Sequence, residues 1–431
     1  MNIVYLHAHD AGRYIQPYGH AIPTPNLMRL ARQSTLFRHA YCAAPTCSPS
    51  RAALLTGVSA HESGMLGLAH RGFSLTHPER HLGSFLRENG YQTVLSGVQH
   101  EFAWDESLPP YDRQLKLPET EGHAARDRAA AEAAAAFLRE EHESPFFLSC
   151  GFIFPHRAFT EIDPDIDPAY VQPPAGLPDQ AEIRRDMAAY HTAVRHMDRA
   201  AGKVIRTLKE TGLDQSTLLI FTVDHGIAFP GMKCQLCDNG IGISLIIHYP
   251  GNPTAGRATD ALVSQLDLYP TICDLAGLAP PSWLSGHSLR PILEGRAGSV
   301  RDEVFAEVTF HAGYEPQRAI RTRTHKLIRI FDDDLTPVMV NIDDSPSKTL
   351  LHQHGFPNRV PVQLYDLLLD PEERNNLAGN PAHAAIESDL TARLQAWMEA
   401  TRDPLLEGAV PPPAGARINL RSQYSPNEPL A

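Results

Sequence analysis

The sequence lacks a surplus of basic residues, because 38 lysines and arginines stand against 50 aspartates and glutamates. The formal net charge is −12 over 431 residues, whereas a general nucleic-acid-binding protein shows the opposite balance. The sequence also lacks an apolar run long enough to span a bilayer, and its start, MNIVYLHAHD, has no basic leader or cleavage site. We therefore expect a cytoplasmic protein with neither a nucleic-acid nor a membrane partner.

Cysteine is scarce as well, with six residues at irregular spacing, which does not predict a disulfide framework. Cys234 and Cys237 have the spacing of a metal-binding pair, but the sequence has no second pair to complete a structural zinc site. An active-site loop with buried thiols is the better interpretation. No internal repeat is present, and 42% hydrophobic and 20% charged residues are ordinary values for a soluble globular protein.

Short apolar runs alternate with helical segments through the first two-thirds of the chain, which predicts an α/β fold with a sheet buried on both faces. The predicted strands are Ile3–His7, Tyr91–Ser96, Phe146–Gly151, Leu218–Val223 and Ile243–Tyr249. The predicted helices are Pro25–Arg32, Arg51–Thr56, His81–Asn89, Ala124–Glu141 and Arg184–Glu210. We expect these strands to be parallel.

The pattern changes after Pro280-Pro281, where polar alternation predicts antiparallel strands in Val304–Ile330 and again near Val338–Val340. A helix is predicted at about Ala382–Ala400. The expected organisation is a catalytic domain over residues 1–300, a smaller C-terminal α+β subdomain over 301–403, and a proline-rich tail over 404–431. We expect that tail to pack loosely.

Histidine and aspartate residues follow four of the predicted strands directly. Ligands of open α/β sheets bind beyond the carboxyl ends of the strands, so these side chains are expected at one edge. A single histidine at a strand end is more often a surface or capping residue, but the convergence of four strands favours a divalent-metal site. The residues concerned are His7, His9, Asp10, His100, His156, Asp224 and His225.

Cys47 heads the segment CSPSRAALLTG. A thiol at a helix start beside Arg51 experiences positive potential that would turn it into an anion. Cys47 is therefore a candidate nucleophile, or a residue that is modified into one.

Cys47-Ser48-Pro49-Ser50-Arg51 resembles the C-x-P-S-R signature of the formylglycine-dependent sulfatases. NIVYLHAHD, TPNLMRLA, FTVDHG and LYDLLLDPEERNNLA resemble further segments of that family, in family order and over nearly the whole chain. Within the family, SAHESGMLGL, PFFLSCGFIFPHR, FTVDHGIAFP and VFAEVTFHAGYEPQRAIRT are most similar to the heparan N-sulfatase (N-sulfoglucosamine sulfohydrolase) branch.

The resemblance implies an alkaline-phosphatase-like fold, with a large mixed sheet flanked by helices and a C-terminal subdomain on an antiparallel sheet. It also implies that a formylglycine-generating enzyme oxidises Cys47 to an aldehyde, which hydrates to a geminal diol. In the family, one hydroxyl of that diol attacks sulfur and the second expels sulfate. A serine lacks the second hydroxyl.

By the same resemblance, His9, Asp10, Asp224 and His225 would hold a divalent cation together with the modified Cys47. Arg51 would hold the formylglycine hydroxyl, and His100 would assist its deprotonation. His156 and Lys233 would grip sulfate and help to protonate the leaving group. His61, His70 and His311 lie in segments that resemble substrate-facing loops and would contact the substrate. The implied substrate is a small anionic compound, a sulfated sugar.

The sequence departs from the family pattern at both metal pairs, where Asp-Asp and Asp-Asn are usual. Imidazole ligands at His9 and His225 favour manganese, iron or zinc over calcium. A second departure is Val98, which stands where the family has a lysine that contacts sulfate. His7, His20 or another residue would have to supply the missing charge.

Three functions therefore stay open: a sulfate ester or sulfamate hydrolase, a phosphonate monoester or phosphodiester hydrolase, and a catalytically silent protein that binds sulfated ligands. The Asp224-His225 pair motivates the second function. Val98 and the altered first metal pair motivate the third.

Overall fold

A large mixed sheet forms the centre of the computed structural model, which describes residues 1–103 and 109–430. Nine strands of the described chain lie in the order β4-β3-β5-β1-β6-β8-β2-β7, with β9 paired to β2. The strands are β1 (Asn2–Ala8), β2 (Thr35–Tyr41), β3 (Gln92–Gly97), β4 (Arg113–Gln114), β5 (Phe146–Gly151), β6 (Thr217–Val223), β7 (Gly242–Ile243), β8 (Leu245–His248) and β9 (Arg257–Ser264).

The central strands β3, β5, β1 and β6 are parallel, as the apolar runs predicted. Ile3 of β1 pairs with Phe147 on one side and with Leu218 on the other. All three side chains are fully buried, because helices cover both faces of the sheet. The parallel direction brings the carboxyl ends of these four strands to one edge.

The prediction of a parallel strand over Ile243–Tyr249 is wrong, because β8 is antiparallel to β6. A parallel pair needs a crossover that returns the chain to the opposite edge, usually through a long helix. The connection from β6 to β8 contains only the four-residue helix Asp238–Ile241. The chain therefore stays at the carboxyl edge, where this connection becomes a loop beside the strand ends.

Eleven α-helices are assigned in the described residues. They are α1 (Pro25–Ala31), α2 (Cys47–Thr56), α3 (Ala60–Ser63), α4 (Leu82–Glu88), α5 (His123–Phe137), α6 (Ala181–Glu210), α7 (Asp238–Ile241), α8 (Leu268–Ala276), α9 (Arg290–Leu293), α10 (Pro346–His354) and α11 (Ala384–Ala400). The longest, α6, is strongly amphipathic and buries one face against α5 and α1. No helix in residues 1–103 and 109–430 has the length and apolar character needed to cross a membrane.

A second, four-stranded antiparallel sheet follows, in the order β10 (Glu303–Phe310), β11 (Tyr314–Thr322), β12 (His325–Ile330) and β13 (Val362–Asp366). Helix α11 covers it with Leu390, Leu394 and Met398. The strand predicted near Val338–Val340 is wrong, since Met339–Asn341 forms a 3-10 turn that buries Val340. With the two sheets and their helices, the predicted alkaline-phosphatase-like fold is confirmed.

The proline content of the final segment predicts loose packing. This prediction is wrong, because the segment is hydrogen-bonded to the rest of the protein. The backbone of Asn419 donates to the carbonyl of Ala312, and its side chain accepts from Arg71. Arg421 forms an ion pair with Asp332. Prolines restrict the conformations of this segment, and these side chains attach it to the C-terminal sheet and to the carboxyl edge of the large one.

Candidate active site

Cys47 is the first residue of α2, directly beyond the carboxyl edge of the large sheet. Every residue of α2 is buried, and the helix packs against α3, α4 and α8. The helix ends at Gly57, which has a left-handed backbone (φ 72°) that glycine tolerates. The Sγ atom of Cys47 lies 3.4 Å from Nε2 of His225, so the helix start faces the residues that follow β6.

Four potential metal ligands converge at this point: His9, Asp10, Cys47 and Asp224 offer ligand atoms that all lie within 4.8 Å of one another. His225 adds its Nε2 atom 3.3 Å from Oδ1 of Asp10. That Oδ1 atom is buried and accepts no hydrogen bond from the described residues. A buried carboxylate oxygen without a donor fits a bound cation, so the donor set suits a divalent metal.

Two further histidines flank His9, with ring centroids 5.2 Å away for His100 and 5.5 Å away for His156. His156 directs Nδ1 to the carbonyl of Arg157, which leaves Nε2 for another partner. Asp10 and His100 have positive φ angles of 48° and 89°. Such conformations are unfavourable outside glycine and persist where the surroundings hold the residue in place, often at functional sites.

Lys233 comes from the loop between β6 and β8, and its Nζ lies 2.9 Å from Asp10 and 3.1 Å from Asp343. Burial lowers the pKa of Lys233, but the two carboxylates outweigh burial and raise it well above its ordinary value. Lys233 therefore carries a positive charge at the site. His311, directly after β10, is buried near Lys233 and Asp343.

Asp343 was not predicted from the sequence. It lies after the 3-10 turn of Met339–Asn341, outside any strand of the large sheet, so the strand-end rule could not find it. Burial raises the pKa of its carboxyl, but Lys233, His156 and His311 outweigh burial and lower it. The C-terminal region therefore contributes both His311 and Asp343 to the site.

The charges of the protein itself do not ionise the Cys47 thiol. Burial raises its pKa well above the ordinary value, and the neighbouring Asp10 and Asp224 raise it further, against Lys233 and Arg51. The prediction that the helix start and Arg51 would ionise the thiol is wrong, because desolvation and two carboxylates outweigh both cations.

Arg51 lies beneath the site and is 1% exposed. Its guanidinium donates to Oδ2 of Asp224 at 3.1 Å and to the carbonyl of Ala8, and it contacts Nδ1 of His7. Its Nε has no acceptor among the described residues. Arg51 therefore neutralises one side of the metal-ligand cluster.

Val98 is buried. Neither His7 nor His20 supplies the positive charge of the lysine that the family has at this position. His7 is buried between Arg51 and Ser149, and burial and Arg51 lower its pKa well below the ordinary value. His20 stacks on Tyr14, and burial lowers its pKa to about 4. Both imidazoles are neutral at pH 7.

The three candidate substrate-binding histidines divide into two groups. His311 lies beside Lys233, and His70 stacks on His100 with ring centroids 5.6 Å apart. His61 lies elsewhere: its Nδ1 is 3.0 Å from Glu307, and its ring contacts Trp397 of α11. Its side chain is 2% exposed, so its position is that of a structural residue between the two sheets rather than a substrate contact.

The His61–Glu307 pair makes stability depend on pH. Burial would raise the pKa of Glu307, but His61 and Arg318 outweigh burial and lower it to about 2. A lowered carboxyl pKa stabilises the fold above the unfolded value of 4.5, and this stabilisation is lost as pH falls towards 2. We expect Glu307→Gln to lower the free energy of unfolding by about 3 kcal/mol at pH 6.

Urea unfolding at pH 6, 4.5 and 3.5 measures this effect, and the difference between the two proteins should narrow as pH falls. The matched control is Glu140→Gln, which removes an exposed ion pair with Arg113. That control should change stability by less than about 0.5 kcal/mol. A difference that stays constant with pH would show that Glu307 acts through packing alone.

The fold and the cluster around Cys47 define a hydrolase of the sulfatase class, and the chain belongs to the sulfatase family, whose model matches residues 1–278. A second model, described as N-sulphoglucosamine sulphohydrolase, C-terminal, matches residues 232–353. The chain is 32% identical to human N-sulphoglucosamine sulphohydrolase over 466 residues, which covers 94% of this chain and 91% of the human protein.

Solved structures share the fold at lower sequence identity. A structure described as a 2-O GAG sulfatase has a TM-score of 0.76 and 22% identity, with 96% of both chains covered. The phosphonate monoester hydrolase of Agrobacterium radiobacter has a TM-score of 0.69 and 22% identity, covering 94% of this chain and 97% of that one. Since both kinds of hydrolase share this fold, the fold alone does not choose between them.

Proposed function

We propose that this protein hydrolyses the sulfate of a sulfated sugar, with N-linked sulfate on a glucosamine unit as the preferred group. The observation that carries the proposal is the C-terminal contribution to the site. Lys233, His311 and Asp343 all lie within residues 232–353, the region that is similar to the N-sulphoglucosamine sulphohydrolase C-terminal model. The region of similarity therefore spans the segments that place these three side chains beside Cys47.

The proposed roles follow from charge and position. Modified Cys47 attacks sulfur, and Lys233 places its positive charge against the sulfate oxygens. Burial and Arg51 lower the pKa of His100 well below the ordinary value, so a neutral imidazole is present at pH 7 to accept a proton from the nucleophile. His156 directs its free Nε2 towards the leaving nitrogen or oxygen.

Maturation of Cys47 is part of the proposal, because the buried thiol is neutral. A formylglycine-generating enzyme would act before folding closes the site, since Cys47 is 1% exposed in the folded chain. The expected mark of maturation is an aldehyde at Cys47 in the tryptic peptide mass. Its absence after co-production with that enzyme would contradict this route.

The ligands of a divalent cation at this site would be His9, Asp10, Asp224 and His225. The cation would neutralise the sulfate oxygens and lower the pKa of the nucleophilic hydroxyl. The two imidazoles favour manganese, iron or zinc over calcium. We expect protein stripped by a chelator to bind Mn²⁺ about tenfold more tightly than Ca²⁺, which corresponds to about 1.4 kcal/mol.

The double variant His9→Asp/His225→Asn replaces the imidazole of each metal-ligand pair by an oxygen ligand. It should bind Ca²⁺ more tightly than Mn²⁺. Calorimetric titration with each ion measures affinity without relying on turnover. The control is His248→Asn, a residue on β8 that bonds the carbonyl of Gln33 away from the cluster. An unchanged Mn²⁺-to-Ca²⁺ ratio in the double variant would show that these imidazoles do not select the metal.

A phosphonate monoester or phosphodiester hydrolase is the second candidate, supported by the Asp224-His225 pair and by the apolar Val98. The test is the ratio of kcat/KM on matched aryl sulfate, aryl sulfamate and aryl phosphonate substrates, measured with matured, metal-loaded protein. Fastest turnover of the sulfamate supports the first proposal, fastest turnover of the sulfate ester supports a sulfatase without the preference for N-linked sulfate, and fastest turnover of the phosphonate supports the second candidate. Tight binding of sulfated sugars without turnover of any substrate would support the third function, a binding protein.

A further inference from the structure

A cleft of about 580 Å³ adjoins the site on the side of His156. One wall is formed by the loop after β5 and by the second turn of α6, which carries Arg185. Asp343 and Asn427 of the terminal segment also line the cleft. A sugar whose sulfate lies at Cys47 would extend into this space, because His156 and Asp343 belong both to the site and to the cleft.

The basic side chains around the cleft differ in whether they have partners. Arg157 donates two hydrogen bonds of 2.7 Å to Asp186 and lies over the ring of Phe159. Lys348 pairs with the cleft residue Asp344, and Arg184, next to Arg185 in sequence, pairs with Asp179. These three cations are neutralised within the protein.

Arg185 is exposed, and it makes neither a hydrogen bond nor an ion pair with any residue in the described ranges. The acid next to it in sequence cannot neutralise it, since both oxygens of Asp186 bond Arg157 and one also accepts from Ser347. Asp343 is likewise held by Lys233. Among the described residues of the cleft, the guanidinium of Arg185 therefore lacks a counter-charge. It is separate from Lys233, the cation proposed to bind the sulfate.

We propose that Arg185 binds a second anionic group of the substrate, so that the enzyme prefers sugars that carry two acidic groups. The proposal rests on the function proposed above and specifies its substrate class. A guanidinium offers paired N–H donors that match the two oxygens of a carboxylate or sulfate. That group is either a second sulfate on the same sugar or the carboxylate of an adjoining uronic acid.

The experiment compares three substrates: N-sulfoglucosamine, N,6-disulfated glucosamine, and a disaccharide of N-sulfoglucosamine with a uronic acid. The quantity measured is the ratio of kcat/KM for each doubly charged sugar to that for the singly charged one. Arg185→Ala should lower this ratio about 10- to 100-fold, the usual effect of a lost charged hydrogen bond. Arg185→Lys should retain part of the preference for the doubly charged sugar. The sugar whose ratio falls identifies the second group.

The matched control is Arg323→Ala, an exposed arginine in the turn between β11 and β12, at the end of the C-terminal sheet remote from His311. It should leave both ratios unchanged. Ratios that are equal in the natural protein and in Arg185→Ala would overturn the proposal.

A second measurement separates the role of Arg185 from the proposed function. Calorimetry gives the affinity of the same sugars for two inactive proteins, Cys47→Ala and Cys47→Ala/Arg185→Ala. If matured natural protein turns over none of the sugars but Arg185→Ala selectively weakens binding of a doubly charged one, only the proposed function fails. If Arg185→Ala does not alter relative affinity, the role of Arg185 fails whether or not sulfate is released.

Discussion

Replacing Cys47 by serine is expected to lower repeated sulfate release by about 10⁴-fold or more, the scale of losing an enzymatic nucleophile. A serine hydroxyl at the start of α2 can accept the sulfuryl group, but it has no second hydroxyl with which to expel sulfate. The variant should therefore retain sulfate on the peptide that contains residue 47. Sulfate release over time and the mass of that peptide measure both effects.

Cys273→Ser is the matched control, because Cys273 is a buried cysteine of α8 outside the site. It should keep the activity of the natural protein, with at most a modest loss of stability. Cys47→Ala should lose turnover and retain no sulfate. Sustained turnover by Cys47→Ser would place the nucleophile elsewhere and contradict the proposed chemistry.

Replacing Asp224 by asparagine is expected to remove most activity and also to destabilise the fold. Oδ1 of Asp224 accepts from the backbone N–H groups of Asp10 and His225, and Oδ2 faces Arg51 and His9. An amide can keep the first two bonds only by turning its NH₂ towards Arg51. The buried guanidinium then loses its counter-charge, which costs about 3 to 5 kcal/mol.

Urea unfolding, metal titration and turnover of the folded fraction measure the result. The expected activity loss is on the order of 10³-fold, because the variant loses charge at the metal cluster and beneath it. Asp238→Asn is the control: this partly buried carboxylate pairs with Arg321 and Lys326 and, among the described residues, forms no hydrogen bond or ion pair with Cys47 or the metal-ligand cluster. It should lose comparable stability while its folded fraction stays active. Full activity in Asp224→Asn would remove Asp224 from the metal-ligand set.

Asp224 also illustrates how buried charge and metal binding are linked at this site. Burial raises the pKa of its carboxyl, but His225, Arg51 and His9 outweigh burial and lower it well below the ordinary value. A carboxylate that stays ionised at low pH remains available to a cation. Gly226, directly after this pair, is required because a Cβ there would lie 1.9 Å from the carbonyl oxygen of Asn239.

Much of the site could be predicted from the sequence because parallel strands bring their carboxyl ends to one edge. His9 and Asp10 follow β1, Asp224 and His225 follow β6, and these pairs meet in the structure. The strand positions themselves follow from apolar runs, which a sheet covered on both faces demands. The C-x-P-S-R segment identified Cys47 by resemblance, independently of any strand.

The sequence by itself therefore determined the α/β class, the four central strands and the cluster around Cys47, since these depend on local pattern. Only the tertiary structure decided that β8 runs antiparallel, that Cys47 is neutral as a thiol, and that His61 lies between the two sheets. It alone brought Asp343 to Lys233 and left Arg185 without a counter-charge among the described residues. Each of these features depends on segments remote in sequence, whose distances and burial set the local charge and which no periodic pattern encodes.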